Sequence, residues 1–282
     1  MNRWQKYLAL LLSAALLPVV SRASADAGGQ EISPGESGVQ AELAFTQSDD
    51  FLSSLLVVSP LLSGRYALQC FSLGLDWGFT AAVASPEQGN DDAAFGAGNP
   101  FLSLLLRRAG ERTRWTAGLG ITVPLAWVST GAEARLQRAS YNHAMGMRGL
   151  WDGWLWAPEH TSAVALFEID HLVGRYLRLS GDAGAALLIP VGDYDYDLDL
   201  FLQAAGGGGF VHGIVSTGCH LRILLMPTLT EDVAQLSVVP WVRIDPEGGH
   251  AAFSLLFNLD EPLGGGYGMQ MYGVHLSGGL TF

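Results

Sequence analysis

From Arg112 to Trp127 the chain reads RTRWTAGLGITVPLAW, and its apolar residues recur at every second position. Trp115, Ala117, Leu119, Ile121, Val123, Leu125 and Trp127 share one face, and Arg114, Thr116, Gly118, Gly120 and Thr122 share the other. A period of two belongs to a β-strand. The two tryptophans bracket an apolar stripe that would rise roughly 30 Å when tilted, the height of a membrane's apolar band rather than of a soluble sandwich strand.

The same alternation runs back from the C-terminus through GMQMYGVHLSGGLTF, with Leu280, Gly278, Leu276, Val274 and Tyr272 on one face and Thr281, Gly279, Ser277, His275 and Gly273 on the other. In VGDYDYDLDLF the pattern becomes an acid ladder. Asp193, Asp195, Asp197 and Asp199 alternate with Tyr194, Tyr196 and Leu198. A strand places all four carboxylates on one wet face, with an apolar face behind them.

Extended along the chain, this reading predicts twelve strands: 39–47, 54–68, 71–83, 97–108, 112–127, 161–171, 175–189, 194–205, 208–225, 233–245, 250–260 and 268–282. Every second connection is tight, at 69–70, 109–111, 172–174, 206–207 and 246–249, while the others are mostly longer, including 84–96 and 128–160. Short turns at one end and loops at the other predict an antiparallel transmembrane β-barrel with about twelve strands. Setting the apolar faces outward sends Glu42, Arg65, Asp76, Arg107, Arg114, Glu168, Asp170, Arg178, Asp182, Asp195, Asp197, Asp199, Arg222 and Arg243 into the lumen. Only Arg108 and Arg175 point outward, each beside a tight turn, which agrees with the penalty of about 2–4 kcal/mol for a cation at mid-membrane.

The first 25 residues, with Arg3 and Lys6 ahead of an apolar run and Ala23-Ser24-Ala25 behind it, read as an exported signal peptide. Residues 26–38 then form a flexible periplasmic segment and 39–282 the barrel. No later apolar run is long enough for a spanning helix. Beyond residue 25 the chain keeps 12 Arg and no Lys against 27 acids, a formal charge of −15. That balance excludes nucleic acid as a partner. Cys70 falls in a turn and Cys219 in mid-strand, so two free thiols are expected rather than a disulfide.

The closing strand resembles the assembly signal of Gram-negative outer-membrane β-barrels, a terminal aromatic residue with an apolar residue two before it, which Phe282 and Leu280 match. Ser277 stands where that signal has glycine. The resemblance implies the cell outer membrane, contact with its lipid and lipopolysaccharide, and handling by the barrel-assembly machinery through Phe282. SPLLSGRYAL, FSLGLDWGF and GAGNPFLSLLLR are similar to the opening strands of barrels associated with phenol-degradation pathways. That likeness, over about a fifth of the chain, implies hydrophobic solutes.

Candidate chemistry concentrates at two places. Asp182, Asp195, Asp197 and Asp199 are expected to form an acidic lumen patch that favours cations, with Arg114, Arg178 and Arg222 as the lumen's basic residues. Strand 208–225 would bring Arg222 and His220 near Asp193 and Asp195, and Gly184 and Ala186 would lie opposite Asp199 and Asp197. The alternative is a narrow lumen tied together by Arg–Asp pairs. A metal at the ladder is disfavoured, because the calcium loop that begins Asp-x-Asp-x-Asp needs Gly sixth and Glu twelfth, where this chain has Leu198 and Ala204. No cofactor is called for.

The 128–160 loop holds Met147, Trp151, Trp154 and Trp156, and its first half spaces Leu136, Ala139, His143, Met147 and Leu150 as a short helix would. Its place after the fifth strand resembles that of the constricting third loop of general porins. A plug, an apolar-solute contact and an outward-lying flap all remain open. Outer-membrane phospholipases pair a His with a Ser two residues on; His143 is followed there by Met145, so no enzyme is expected. The expected function is passive passage of small solutes, narrowed or gated by the loop; the alternatives are a carrier of hydrophobic compounds and a closed structural barrel.

Overall fold

The computed structural model describes residues 37–50, 53–86, 92–130, 133–191, 198–229, 233–260 and 272–282. The leader, and most of the segment expected at 26–38, lie outside them, as do Asp193, Asp195 and Asp197 of the acid ladder. The described strands are β1 (Gly38–Asp50), β2 (Ser53–Leu68), β3 (Phe71–Pro86), β4 (Asp92–Ala97), β5 (Phe101–Ala109), β6 (Thr113–Thr122), β7 (His160–Val173), β8 (Leu177–Pro190), β9 (Asp199–His212), β10 (Val215–Leu225), β11 (Ala234–Ile244), β12 (Gly249–Asn258) and β13 (Tyr272–Thr281). One helix, α1 (Glu133–Gly146), and a short 3₁₀ turn (Gly153–Leu155) lie between β6 and β7.

Neighbouring strands pair antiparallel, and β1 closes the ring by pairing with both β2 and β13. The closed wall has twelve strands, as the alternation requires. β4 is additional. It pairs with the loop-end half of β3 through Phe79↔Ala97 to Ala84↔Asp92, whereas β5 pairs with the other half through Phe71↔Leu106 to Asp76↔Phe101. One place in the wall is thus filled by two short strands, with Gly98-Asn99-Pro100 between them. Where a single strand 97–108 after a loop 84–96 was expected, the proline and the close approach described below break the ladder.

Two further expectations fail for identifiable reasons. β6 ends at Thr122 rather than at 127, because Pro124 cannot donate to a ladder. The turn expected at 206–207 is instead mid-strand: β9 runs straight through AAGGGGF to His212, and the chain reverses at Gly213, whose φ is +62°. A Cβ at Gly207 would strike the His220 ring, and one at Gly209 or Gly218 would strike Trp241. These glycines clear space for inward-facing rings; they do not bend the chain.

Outward faces carry an exposed apolar belt that includes Leu73, Leu75, Leu102, Leu104, Leu119, Ile121, Phe167, Leu221 and Ile223. Continuous apolar surface of this extent suits lipid rather than water. Cys70 and Cys219 are both exposed and unpaired. The packed core lies inside the ring, between the barrel wall and the 123–159 connection.

Candidate functional site

The connection between β6 and β7 folds down into the loop end of the lumen and fills it. Tyr141, Ala144, Met147, Trp154, Leu155 and Trp156 are at most 2% exposed. They pack on inward-facing Phe101, Val164, Ala186, Leu188, Phe201 and Leu224, while Met147 meets Ala44, Val57 and Ala82. The rings of Trp154 and Phe101 lie 6.2 Å apart. Burying side chains of this size contributes about 1.5–3 kcal/mol each, so hydrophobic packing holds the plug.

Glycines form its bed. A Cβ at Gly78 would meet the Trp156 ring, one at Gly96 the Tyr141 ring, and one at Gly98 the Leu155 carbonyl. Two polar anchors then fix the register. Asn99 is fully buried at the wall break; its Nδ2 donates to the carbonyls of Ala157 (2.7 Å), Trp154 (3.2 Å) and His160 (3.2 Å). Its Oδ1 accepts from the backbone N–H groups of Leu125 (2.9 Å) and Ala126 (2.8 Å). One side chain therefore ties both ends of the loop to the point where β4 gives way to β5.

Across the lumen, Arg148 pairs with Glu42 of β1, donates to the Ser59 carbonyl at 3.2 Å, and lies 4.5 Å over the Trp156 ring. His275 of β13 stands between the Glu42 carboxylate (3.0 Å) and the Met147 carbonyl (2.8 Å). Smaller ties come from Tyr141, whose hydroxyl donates to the Ala97 carbonyl at 2.9 Å, and from Ser140 with Thr80 at 3.0 Å. Burial of Tyr141 pushes its hydroxyl up to about 12.

The loop backbone is strained where it is held. Leu150, Asp152 and Glu159 have φ of +58°, +54° and +61°, a region that costs an L residue about 1–3 kcal/mol unless its surroundings impose it.

Below the plug the lumen is polar. A cavity of about 350 Å³ extends from Trp151 and Asp152 down past Glu42, Arg107, Glu168, Asp182 and Arg222. Trp151 forms its roof, with the Arg222 guanidinium 4.8 Å from the ring. Asp152 exchanges two 3.2 Å bonds with Gln203, its carboxylate accepting from the amide Nε2 and its backbone N–H donating to Oε1. Burial raises the Asp152 carboxyl to about 6. Nearer the turn end the charges are paired: Arg65–Asp76 (3.0 and 2.9 Å), Arg178–Asp170 (2.9 and 2.7 Å) and Arg243–Asp245 (2.5 Å).

No protein-family model matches the chain, and no curated protein matches it. Among solved structures it is similar to an outer membrane channel from Pseudomonas putida, at 11% identity and a TM-score of 0.60, with 92% of this chain and 100% of that one covered. The fold is that of the Gram-negative outer-membrane β-barrels. The NanC porin (6% identity, TM-score 0.49, 87% of this chain and 100% of that one) and the toluene transporter TodX of Pseudomonas putida (10%, 0.41, 88% and 89%) are more distant. In an outer-membrane barrel the end with tight turns and both termini is periplasmic and the plugged end external.

Within this barrel the residues singled out from sequence separate. Asp182 lines the chamber beside Glu168, opposite Ala205. Asp199 lies at the external end of β9, opposite Leu188, and Phe201 rather than Asp197 faces Ala186. Six residues of β9 separate Asp199 from the Asp182 row, roughly 20 Å, so the two do not form one patch. Arg222 sits in that same row, opposite Ala205, because the β9–β10 turn lies seven residues later than the glycine run suggested; the Asp193 and Asp195 expected near it lie outside the described residues. Arg114 and Arg178 are at the periplasmic rim, and Arg175, expected to point outward, lines the same rim cavity. Met147 and Trp156 are inside the plug; Trp151 lines the chamber, and so does one edge of Trp154, whose ring is otherwise buried in the plug. His143 bonds the Ala139 carbonyl within α1 at 2.8 Å.

Sequence reading missed Asn99, Glu42, Arg148 and His275. Asn99 had a visible signal, an amide between Gly98 and Pro100 in an otherwise apolar run, which the Gly-Asn-Pro strand start concealed. The alternation turned Glu42 and His275 away from the apolar face, but their pairing had no signal, since only closure of the barrel brings residues 233 positions apart together.

Proposed function

We propose that the protein is an outer-membrane channel for small solutes, closed from the external side by the 123–159 loop. The observation that carries this reading is the junction at Trp151: a packed apolar plug above, an open polar chamber of about 350 Å³ below. Opening means lifting Trp154 and Trp156 from their glycine bed and breaking the Arg148–Glu42–His275 cluster. The strained φ values at Leu150, Asp152 and Glu159 lower the work of leaving that seat. The chamber charges, Asp182 and Arg222 included, would then set ion preference. Phe282 is exposed, with its backbone bonded to Ser37 beside β1, which supports its reading as the residue that the assembly machinery would take.

Single-channel conductance in planar bilayers tests the reading, with the intact protein and with residues 132–157 deleted. Silent or brief openings in the intact protein and sustained steps after deletion are expected. Silence from a properly folded deletion protein would refute a channel.

A second reading, a carrier of hydrophobic compounds, is favoured by one observation. β6 leaves the sheet at Thr122, β4 ends the hydrogen-bonded order, and Val123, Leu125 and Trp127 lie exposed at that break. An apolar solute would then pass sideways through the wall. Silence in both proteins, with uptake of an apolar dye abolished by closing the break, would favour it; silence without uptake would mean a closed barrel.

A further inference from the structure

Beyond residue 25 this acidic chain has 12 arginines and no lysine, and four of the twelve line a single cavity of about 340 Å³ at the periplasmic rim. They are Arg112 and Arg175 on the two neighbouring turns, and Arg114 and Arg178 on β6 and β8. The acids there are Glu111 and Asp170. Asp170 is held by both prongs of Arg178. Among the described residues, no hydrogen bond or ion pair engages the side chains of Arg112, Arg114 or Arg175. Three guanidinium groups thus face one carboxylate, that of Glu111, an excess of two positive charges in a chain that is otherwise strongly negative.

The scaffold under these side chains is fixed. The Arg112 carbonyl accepts from Leu172 at 2.8 Å, the Thr113 carbonyl from Gly110 at 2.8 Å, and the Tyr176 carbonyl from Val211 at 2.8 Å. Tyr176 stands exposed at the lip, its hydroxyl free to donate beside a flat ring. Like charges held together on backbone-fixed turns repel one another unless a counter-charge joins them. Guanidinium forks match the oxygens of phosphate in two-pronged geometry, which the ammonium of lysine does not.

We propose that this rim cavity binds a phosphate monoester group, whose two negative charges at neutral pH match the excess. The volume, near the lower limit for small-molecule sites, holds the phosphate and a group of about sugar size. The phosphate comes either from a soluble solute at the periplasmic mouth or from a lipid headgroup of the inner leaflet. Binding here does not depend on whether the external plug opens, so the proposal stands or falls apart from the channel reading.

The test is calorimetric titration of the mature protein in neutral detergent with glycerol 3-phosphate, glycerol serving as the uncharged control. A second arm measures retention of phosphatidic acid over phosphatidylcholine in mixed nanodiscs. Saturable binding of glycerol 3-phosphate, absent for glycerol and weakened at least tenfold in Arg112→Gln/Arg175→Gln, supports the site and makes its ligand soluble. Retention of phosphatidic acid alone, lost in the same double variant, supports it with lipid as the source. Arg108→Gln, outside the cavity, should change neither. Binding in neither arm, or binding unaltered by the double variant with its unfolding midpoint preserved, overturns the proposal.

Discussion

The external and periplasmic halves of the lumen are lined by the same twelve strands yet hold their contents in opposite ways. Above Trp151, tryptophan, tyrosine, leucine and alanine side chains interdigitate, and Asn99 satisfies the backbone groups that this packing buries. Below it, arginines and carboxylates form pairs at 2.5–3.0 Å around open space. Apolar contact is cooperative and excludes water; ion pairs tolerate water between and around them. A plug belongs to the first kind of interior and a solvated passage to the second. The boundary between them runs along Trp151, Asp152, Trp154 and Leu155, the last two packed above and lining the space below.

The largest expected disruption of this contrast is Trp156→Ala. It removes a fully buried ring together with the surface on which Arg148 rests, and large-to-small changes of this kind cost about 3–5 kcal/mol. Urea unfolding in lipid should show that loss. Trypsin should also cut after Arg148, which the seated plug buries, many times faster than in the parent protein. Unchanged cleavage would mean that the ring is not what holds the plug.

Asn99→Ala comes next. It takes away no packing to speak of, but it leaves loop carbonyls and two N–H groups without their partner in a dry site, at about 1–3 kcal/mol for an orphaned group. The loop should loosen at both ends while the barrel stays intact, so bilayer recordings should show more frequent openings with no drop in the barrel's heat resistance on gels. Loss of the barrel itself would show that Asn99 secures the wall break and not the plug.

The barrel was readable from sequence because a period of two needs no tertiary information: the turns at 69–70, 109–111, 172–174 and 246–249 lie within about two residues of the observed ones. The glycine run misled, since four glycines are the usual mark of a reversal, and the inward rings of His220 and Trp241 that account for Gly207 and Gly209 as strand come from other strands. Proline and asparagine at 99–100 misled in the same way, announcing a strand start when they also interrupt a wall. The loop's length and its tryptophans marked it as a candidate. Which tryptophan would face the chamber depends on how the chain descends into the lumen, and the anchors Glu42 and His275 depend on ring closure. Neither has a local pattern.

A smaller effect is expected in the lower half. Arg65→Gln removes a two-pronged bond to Asp76, but both side chains retain contact with solvent, so stability should fall by only about 1–2 kcal/mol. The informative readout is ionic. In the 132–157 deletion background, freeing the Asp76 carboxylate should move the reversal potential in a salt gradient toward greater cation preference. No movement would place the conduction path elsewhere than beside this pair.

The finest test lies at the boundary itself. Burial raises the Asp152 carboxyl from its usual 3.8 to about 6, helped by the charge of Asp76 and opposed by the Gln203 hydrogen bond and by Arg222 and Arg148. The seated plug therefore holds this proton more tightly than the released loop does. Its contribution to seating is fully present below about 3.8 and is lost as pH rises through about 6. Cleavage after Arg148, taken relative to an unstructured arginine peptide cut by the same trypsin at the same pH, should accordingly be slower at pH 5 than at pH 7.5. Asp152→Asn cannot acquire the charge, keeps an amide able to meet Gln203, and tolerates the left-handed backbone better than most residues. It should hold the plug at both pH values and flatten the difference. A pH response that persists in Asp152→Asn would move the titrating group away from this boundary.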